Sequence, residues 1–348
     1  MEYILKSWYN GLWNVKGLAF AVQMMLMLLL GHVLAISKPI DNVINKLLPF
    51  CSNNARSTFI ITFTTLIVSW FNWGLGLVFG AIFCKKIMNY AAKNSIGLNM
   101  GLIGACGYSG LMIWHGGISG SSLIKISEFG HLTELATESV KSSVPQFIDF
   151  SLTVFSSMNI FVTVSLLTIL PVSMYFFAKK SRLKVPERVF DNKIEQKKNN
   201  LIGFEKLDHS KLTGMLLGLL VLLFCCYLAI THTATKSLQF INPNYLNLFL
   251  LGLGLFFHKS FYNFIKAIDN AIGGTAAILI QFPLYFGIMG IMSSSGMVTQ
   301  ISDFFVSFST ETTLPIVTFF SAGLVNIFVP SGGGQWVIQG PIVIESAL

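Results

Sequence analysis

Two clusters of glycine and serine interrupt apolar runs of this chain, and each leaves backbone groups free to bind a ligand. The first cluster, Trp114–Ser122, reads WHGGISGSS, and the second, Phe328–Pro341, reads FVPSGGGQWVIQGP. A helix cannot continue through a proline followed by three glycines. In hydrocarbon an unwound backbone is tolerated only where protein covers it or where it lines a cavity, because each unpaired group costs several kcal/mol. The pattern predicts non-covalent binding at two breaks.

His115 is the titratable residue found at the breaks, and it is the candidate for coupling to protons. A structural histidine is the alternative interpretation. No Asp or Glu lies inside a long apolar run, so the usual carboxylate of a proton relay or sodium site is missing. A sodium ion held by the carbonyl groups of unwound backbone is the alternative coupling ion. The five cysteines show no CxxC or Cys/His spacing, so no metal site or other cofactor is predicted.

The composition predicts a polytopic membrane protein. Of the 348 residues, 53% are hydrophobic and 11% are charged, whereas charged residues make up about a quarter of a soluble protein. The net charge of +8 does not indicate a nucleic-acid partner, because ten of the 23 basic residues lie in segment 179–211. By the positive-inside rule this segment is a cytoplasmic loop.

The order of the apolar segments predicts an all-α fold with inverted repeats, re-entrant hairpins and broken helices. Three units follow in chain order: a first repeat at 1–178, a basic linker at 179–211 and a second repeat at 212–348. Each repeat has a span, a hairpin with an aromatic tip and a broken helix. The hairpins and breaks are predicted at about 58–84, 115–122, 271–295 and 329–336. A single long helix is the alternative to the first hairpin.

Three motifs resemble the AtoE-type short-chain fatty acid transporters. They are Val329–Pro341 (VPSGGGQWVIQGP), Asn72–Val78 (NWGLGLV) and Gly117–Ser121 (GISGS), and the similarity runs through essentially the whole chain. The resemblance implies uptake of short-chain monocarboxylates, such as butyrate or acetoacetate, across the inner membrane. That family is similar in turn to the wider ion-transporter superfamily of anion carriers, which implies a homodimer and an elevator motion.

Two features depart from the family pattern. His115 stands where a small residue is expected, so its role does not carry over. Family members have another apolar segment before the Trp8 region and several more after Pro341, so the chain is expected to be shortened at both ends, with an incomplete second repeat. A non-functional remnant is therefore one alternative to a working carrier.

For a carboxylate substrate, the predicted site uses backbone N–H groups at the starts of two half-helices. Each hydrogen bond to the charged group contributes about 1.5–3 kcal/mol, and a short aliphatic tail yields about 0.8 kcal/mol per CH₂. Ordinary capping by the serines and close helix packing at the glycines are the alternatives. The predicted substrate-binding residues are Asn72, Trp73, Gly74, Ser119, Gly120, Ser121, Gln281, Phe282, Ser331, Gly332, Gly333, Gly334 and Gln335, with Tyr285 and Trp336 as further candidates for an apolar wall.

Other functional classes remain as alternatives. A carrier of another small organic anion, such as a dicarboxylate, would use the same two breaks. A channel would need a continuous polar lining rather than isolated breaks. An enzyme would need a nucleophile with its base, and the chain has neither a GxSxG context after a strand nor an Asp/His partner at membrane depth. The lysine of a phosphate-binding loop is missing after the glycine run.

Overall fold

The computed structural model describes residues 1–138, 140–187, 203–233, 238, 240–329 and 332–348. Within these ranges the chain is helical, and the only β-type pairing is an isolated bridge between Leu98 and Lys184. The predicted all-α class is confirmed. Ser331 of the predicted substrate-binding residues and a large part of the predicted linker lie outside the described residues, and the division into two repeats stays a prediction.

Five helices of the first half begin at strong capping residues. Asn14, Asn53, Asn72, Asn99 and Ser156 each accept a hydrogen bond from a backbone N–H of the first turn. The helices are α1 (Glu2–Leu12), α2 (Val15–Ala35), α3 (Lys38–Leu47), α4 (Asn54–Phe71), α5 (Trp73–Lys93), α6 (Met100–Tyr108), α7 (Ser121–Ile126), α8 (His131–Leu135) and α9 (Ser157–Lys179).

The helices of the second half follow the basic segment. They are α10 (Glu205–His209), α11 (Lys211–Thr233), α12 (Pro243–His258), α13 (Phe261–Ala271), α14 (Ala276–Ser294), α15 (Met297–Phe308), α16 (Leu314–Phe328) and α17 (Gly332–Ala347).

Five helical segments among the described residues are long and apolar enough to cross a membrane. They are Val15–Ala35, Trp73–Lys93, Ser157–Lys179, Lys211–Thr231 and Phe261–Ser294. About 20 apolar residues span the hydrocarbon core of a bilayer. The prediction of a polytopic membrane protein is confirmed.

Helices α4 and α5 form an antiparallel pair that turns at Asn72. The side chain of Asn72 caps α5 by accepting a hydrogen bond from the Leu75 N–H at 2.7 Å, and its extended backbone ends α4. Gly76 lies close to Ser69, and Gly80 lies close to Thr65. The alternative of a single long helix is therefore excluded, while the re-entrant placement of the pair in a membrane stays a prediction.

The second predicted hairpin is wrong, because residues 276–294 form the single helix α14. Pro283 removes one backbone hydrogen bond, yet helices of membrane proteins tolerate proline where neighbouring groups compensate. Gln281, which the sequence interpretation placed at a hairpin tip, is exposed on the surface of α14. A polar residue between two short apolar runs therefore marks a helix face here and not a turn.

The two predicted breaks differ from the structure in length. The first is longer, since α6 ends at Tyr108 and is followed by two short 3-10 turns and an extended Gly117. Helix α6, which leads into this break, is accordingly only nine residues long. The second is shorter, because α17 begins at Gly332, so the glycines form its first turn.

Three buried clusters hold the breaks in place. Met27, Leu30 and Val33 of α2 pack against α12 and α13, and aromatic residues of α5 pack against α4 and α6. A third cluster lies under the start of α17 and consists of Phe20, Ala21, Met24, Phe282, Phe286 and Val337. Fully burying one such side chain stabilises the fold by about 1.5–3 kcal/mol. The start of α17 therefore packs on residues of α2 and α14, while α15 and α16 pack along the helix.

Candidate functional site

The two breaks meet where the imidazole of His115 packs against Gly332. A Cβ atom at Gly332 would overlap the His115 ring, so only glycine permits this approach. His115 lies against Trp114 with ring centroids 4.1 Å apart, and Trp114 lies 5.1 Å from Trp73. A row of three rings thus connects the turn between α4 and α5 to the start of α17.

A cavity of about 270 Å³ opens at this meeting point. It takes residues from the first break, from α16 and from one face of α17, namely His115, Ser122, Thr318, Gly332, Gln335, Trp336, Gln339 and Val343. Pockets for drug-sized ligands occupy about 300–1,000 Å³. The cavity therefore suits a small molecule.

Three side chains at the cavity are available as hydrogen-bond donors. Within the described part of the chain, the imidazole of His115 and the hydroxyls of Ser122 and Thr318 make no side-chain hydrogen bond. The first turn of α17 at Gly332 adds backbone N–H groups with the partial positive charge of a helix start. Donors of this kind bind a carboxylate without a metal ion or a fixed cation.

Two glutamines of the cavity are engaged in holding α17 to α16. The Gln335 Nε2 donates to the Ala322 carbonyl oxygen at 2.7 Å and to the Gln339 Oε1 at 3.2 Å. The Gln339 Nε2 in turn donates to the Ser321 hydroxyl at 3.3 Å. These side chains shape the cavity wall, and their amide N–H groups are already in use.

Two serines of the first break, Ser119 and Ser121, contact neighbouring helices and do not line the cavity. The backbone N–H of Trp73 donates to the Ser119 Oγ at 3.0 Å, and the backbone N–H of Ile118 donates to the Trp70 carbonyl oxygen at 2.8 Å. Ser121 is buried, with its hydroxyl 3.6 Å from the Met24 sulfur. The break is thereby fixed to the turn between α4 and α5.

The remaining residues predicted at that break and turn also have packing partners. Gly120 packs against the backbone of His115, and Gly74 lets the backbone of α2 approach at Leu28. The Asn72 Nδ2 lies 3.0 Å from the Met27 sulfur. Among the residues predicted at the turn, Trp73 keeps a buried indole N–H without a partner in the described residues.

Phe282 and Tyr285 of α14 form a packed layer with the other glycines of α17. The Phe282 ring lies tilted at 5.7 Å from Phe20, and both rings approach the position of a Cβ on Gly333. Tyr285 packs against Gly334 in the same way. Of the predicted substrate-binding residues, the structure therefore brings Gly332 and Gln335 to the cavity, together with His115, the candidate for coupling, and Trp336.

The predicted site residues did not include Ser122, Thr318, Gln339 or Val343, although Ser122 lies inside the predicted break at 115–122. The signal was present as helical spacing, because positions 332, 335, 336, 339 and 343 lie on one face of a helix that begins at Gly332. Treating 329–336 as an unwound segment hid that face. Thr318 was hidden inside the apolar run of α16.

A second cavity, of about 470 Å³, lies beside His131, and charged as well as apolar side chains line it. Its lining includes Lys16, Lys125, His131 and Glu134. The Trp336 Nε1–H donates to the His131 Nε2 at 3.0 Å. Burial, and then the charges of Lys125 and Lys16, lower the pKa of His131 to about 3, so this histidine accepts the indole proton as a neutral ring.

Residues 2–348 match the family model described as short chain fatty acid transporter. The chain belongs to this family. It is 33% identical to a protein of Escherichia coli (strain K12) and 34% identical to one of Haemophilus influenzae (strain Rd), both named provisionally as short-chain fatty acid transporters. Each alignment covers 99% of this chain and 75% of the relative. No solved structure matches it. The family is one of membrane transporters, not enzymes.

Proposed function

We propose that this protein is a saturable carrier that moves short-chain monocarboxylates, such as butyrate and acetoacetate, across the inner membrane. The observation that carries the proposal is the cavity of about 270 Å³ at the meeting point of the two breaks. It combines three side-chain donors, on His115, Ser122 and Thr318, that are unpaired among the described residues with a volume just below the range of drug-sized ligands.

The carboxylate accepts hydrogen bonds from the imidazole of His115, from the Ser122 hydroxyl and from the backbone N–H of Gly332 at the start of α17. Each such bond to a charged group contributes about 1.5–3 kcal/mol, which offsets the several kcal/mol that removing a carboxylate from water costs. The aliphatic tail packs against Trp336 and Val343, which line the same cavity. Each buried CH₂ adds about 0.8 kcal/mol.

The lining favours one carboxylate over two. In the described part of the chain no lysine or arginine contributes to this cavity. A dicarboxylate would bring a second charge that no fixed cation neutralises, and burying an unpaired charge is costly. A single carboxylate with a short apolar tail matches both the donors and the wall.

Coupling of transport to protons is assigned to His115. A protonated imidazole would hold the substrate carboxylate as an ion pair, and loss of the proton on the other side of the membrane would weaken binding. The resemblance to the wider anion-carrier superfamily supports an elevator motion in a homodimer. Sodium held by backbone carbonyls is the competing coupling ion.

The test is exchange of labelled butyrate in vesicles that contain the purified protein and are loaded with unlabelled butyrate. We expect saturable exchange above the rate of protein-free vesicles, with competition by acetoacetate and not by succinate. An imposed proton gradient should drive uptake, and a sodium gradient should not. Exchange no faster than in protein-free vesicles would refute the carrier, and equal competition by succinate would refute the monocarboxylate assignment.

A further inference from the structure

A basic cavity lies at the end of the helix bundle where segment 179–211 rejoins the helices. It has a volume of about 420 Å³ and is separate from the cavity between the breaks. Four lysines from four elements line it: Lys38 at the start of α3, Lys211 at the start of α11, Lys259 after α12 and Lys266 on α13.

The positive charge of this cavity is not neutralised within the described residues. No carboxylate lines the cavity, and none of the four lysines forms an ion pair in the part of the chain that the structure describes. Asp269 lies on α13 three residues after Lys266 but does not pair with it. Because like charges repel, bringing these four ammonium groups together favours a bound anion.

Lys259 occupies a strained backbone position beside this cavity. Its φ is 70° and its ψ is −45°, and the Ser260 N–H donates to the His258 carbonyl at 2.8 Å across it. Lys259 is thus the central residue of a γ-turn of the rare and strained form with positive φ. Glycine adopts a positive φ more easily than lysine, so a lysine at this position points to a role for its charged side chain.

Exposed apolar residues flank the basic cavity. Leu212 and Leu216 of α11 are 63% and 56% exposed, and Ile265 of α13 is 54% exposed. Helix α13 presents Asn263 and Lys266 to the cavity. A cationic pocket next to apolar helix surfaces matches a molecule with an anionic head and acyl chains.

We propose that this cavity binds the phosphate headgroup of an anionic phospholipid, with the acyl chains along the exposed faces of α11 and α13. The lysines neutralise the phosphate, and the apolar residues outside the cavity contact the chains. Free phosphate shares the headgroup chemistry but not the chains, so the two sources are separable by experiment.

The first test compares lipids on the full chain in detergent. Native mass spectrometry with equal amounts of phosphatidylglycerol and phosphatidylcholine should show selective retention of phosphatidylglycerol, and this lipid should raise the melting temperature. Inorganic phosphate, at an ionic strength matched with chloride, should do neither. Equal retention of the two lipids would overturn the proposal, and so would a melting-temperature rise with phosphate equal to that with phosphatidylglycerol.

Variants locate the site. The double variant Lys211→Gln, Lys266→Gln should lower the phosphatidylglycerol preference by about fivefold for each lysine, since one lysine near an anionic headgroup contributes about 1 kcal/mol. The matched control Lys93→Gln, Lys180→Gln removes the same charge from exposed lysines outside the cavity and should keep the preference. An equal loss in both double variants would assign the preference to net charge and refute the cavity.

Lys259→Gly separates binding from folding. Glycine relieves the strained φ, so the lipid-free melting temperature should stay equal or rise, while the preference for phosphatidylglycerol falls about fivefold. An unchanged preference in this folded variant would refute the role of Lys259. Lipid preference and melting temperature are measured without transport, so their results do not depend on whether the protein carries monocarboxylates.

Discussion

The two breaks share a glycine and serine composition but hold their backbones in different ways. In the first break, Ser119 accepts the Trp73 N–H and Ile118 donates to Trp70, so the backbone is bound to the turn between α4 and α5. In the second, Gly332 opens α17 directly and faces the ring of His115 across a cavity. Composition alone therefore marks where a helix breaks, and the neighbouring elements decide which break keeps donors for a ligand.

We therefore infer that the residues of the first break before Gly120 stabilise the fold, whereas the start of α17 binds the substrate. His115 is the exception, since it belongs to the first break but lines the cavity with Gly332. Substitutions on the scaffold should reduce the amount of folded protein. Substitutions at the cavity should reduce affinity for substrate in protein that folds.

The largest expected effect is that of Gly332→Val. The new side chain would overlap the imidazole of His115 and fill the cavity. Losing two hydrogen bonds of about 1.5–3 kcal/mol each weakens carboxylate binding by roughly 100-fold or more. The measurement is the concentration dependence of labelled butyrate exchange in vesicles.

Gly323→Val is the matched control for this variant. Gly323 lies on α16, and no atom would meet a Cβ there within 4 Å. Both variants place a β-branched residue in a helix, so the cost in helix propensity is shared. Equal exchange kinetics in the two variants would show that the start of α17 does not bind the substrate.

The second effect concerns the scaffold. Gly117→Ala places a Cβ against the carbonyl group of Trp70 and 2.9 Å from its Cα. Backbone cannot move aside as a side chain does, so overpacking should lower the free energy of unfolding by about 1–3 kcal/mol. Denaturant unfolding in detergent would measure this change.

Gly101→Ala is the control for the scaffold variant, because its Cβ would meet only the Asn99 Oδ1 at an ordinary 3.6 Å. The KM for butyrate in the remaining folded Gly117→Ala protein should equal that of the unaltered protein. A raised KM with normal stability would place the first break in the binding site and remove the contrast between the two breaks.

A third effect tests how α17 is held beyond its first turn. His131 accepts the Trp336 N–H while neutral, and its pKa of about 3 lies below the ordinary 6.5. The unfolded chain takes up a proton at His131 more readily than the folded protein does. The stabilising contribution of the neutral His131 ring is therefore fully present above pH 6.5 and is lost as the pH drops towards 3. At pH 5 the loss is about 2 kcal/mol.

The measurement is the melting temperature between pH 7.5 and pH 5, compared with His131→Gln. Glutamine keeps an acceptor for the Trp336 N–H but does not titrate, so its pH profile should be flatter by this amount. Lys16, Lys125 and Glu134 face the same cavity, and they are present in both proteins. Parallel profiles would show that His131 does not set the pH dependence.

The fold was predictable where local chemistry decides it. The length of the apolar runs predicted the membrane-spanning helices, and the helix cap at Asn72 fixes the turn between α4 and α5. The hairpin expected at 271–295 failed because Pro283 and Gln281 look like a turn in sequence. Whether a helix continues through a proline depends on what packs around it, and here α1 and α2 pack along α14.

The candidate site was predictable in kind but not in detail. Glycine runs identified the start of α17, and His115 was singled out as the titratable group at a break. The serines could not be sorted from sequence, because Ser119 and Ser122 differ only in what the fold places beside them. Long-range contacts, such as that of Ser119 with Trp73, carry this information.

The smallest effect separates these two serines. Ser119→Ala leaves the partly buried backbone N–H of Trp73 without its acceptor. This should lower the free energy of unfolding by about 1 kcal/mol or somewhat more and leave the KM for butyrate unchanged. Ser122→Ala removes a hydroxyl that is unpaired in the described structure, so stability should hold while the KM rises about tenfold, as for one lost bond to a carboxylate. Denaturant unfolding and butyrate exchange on both variants give four values. If both serines changed the KM alike, the first break would bind substrate along its whole length; if neither did, the donors of the cavity would reduce to His115, Thr318 and the start of α17.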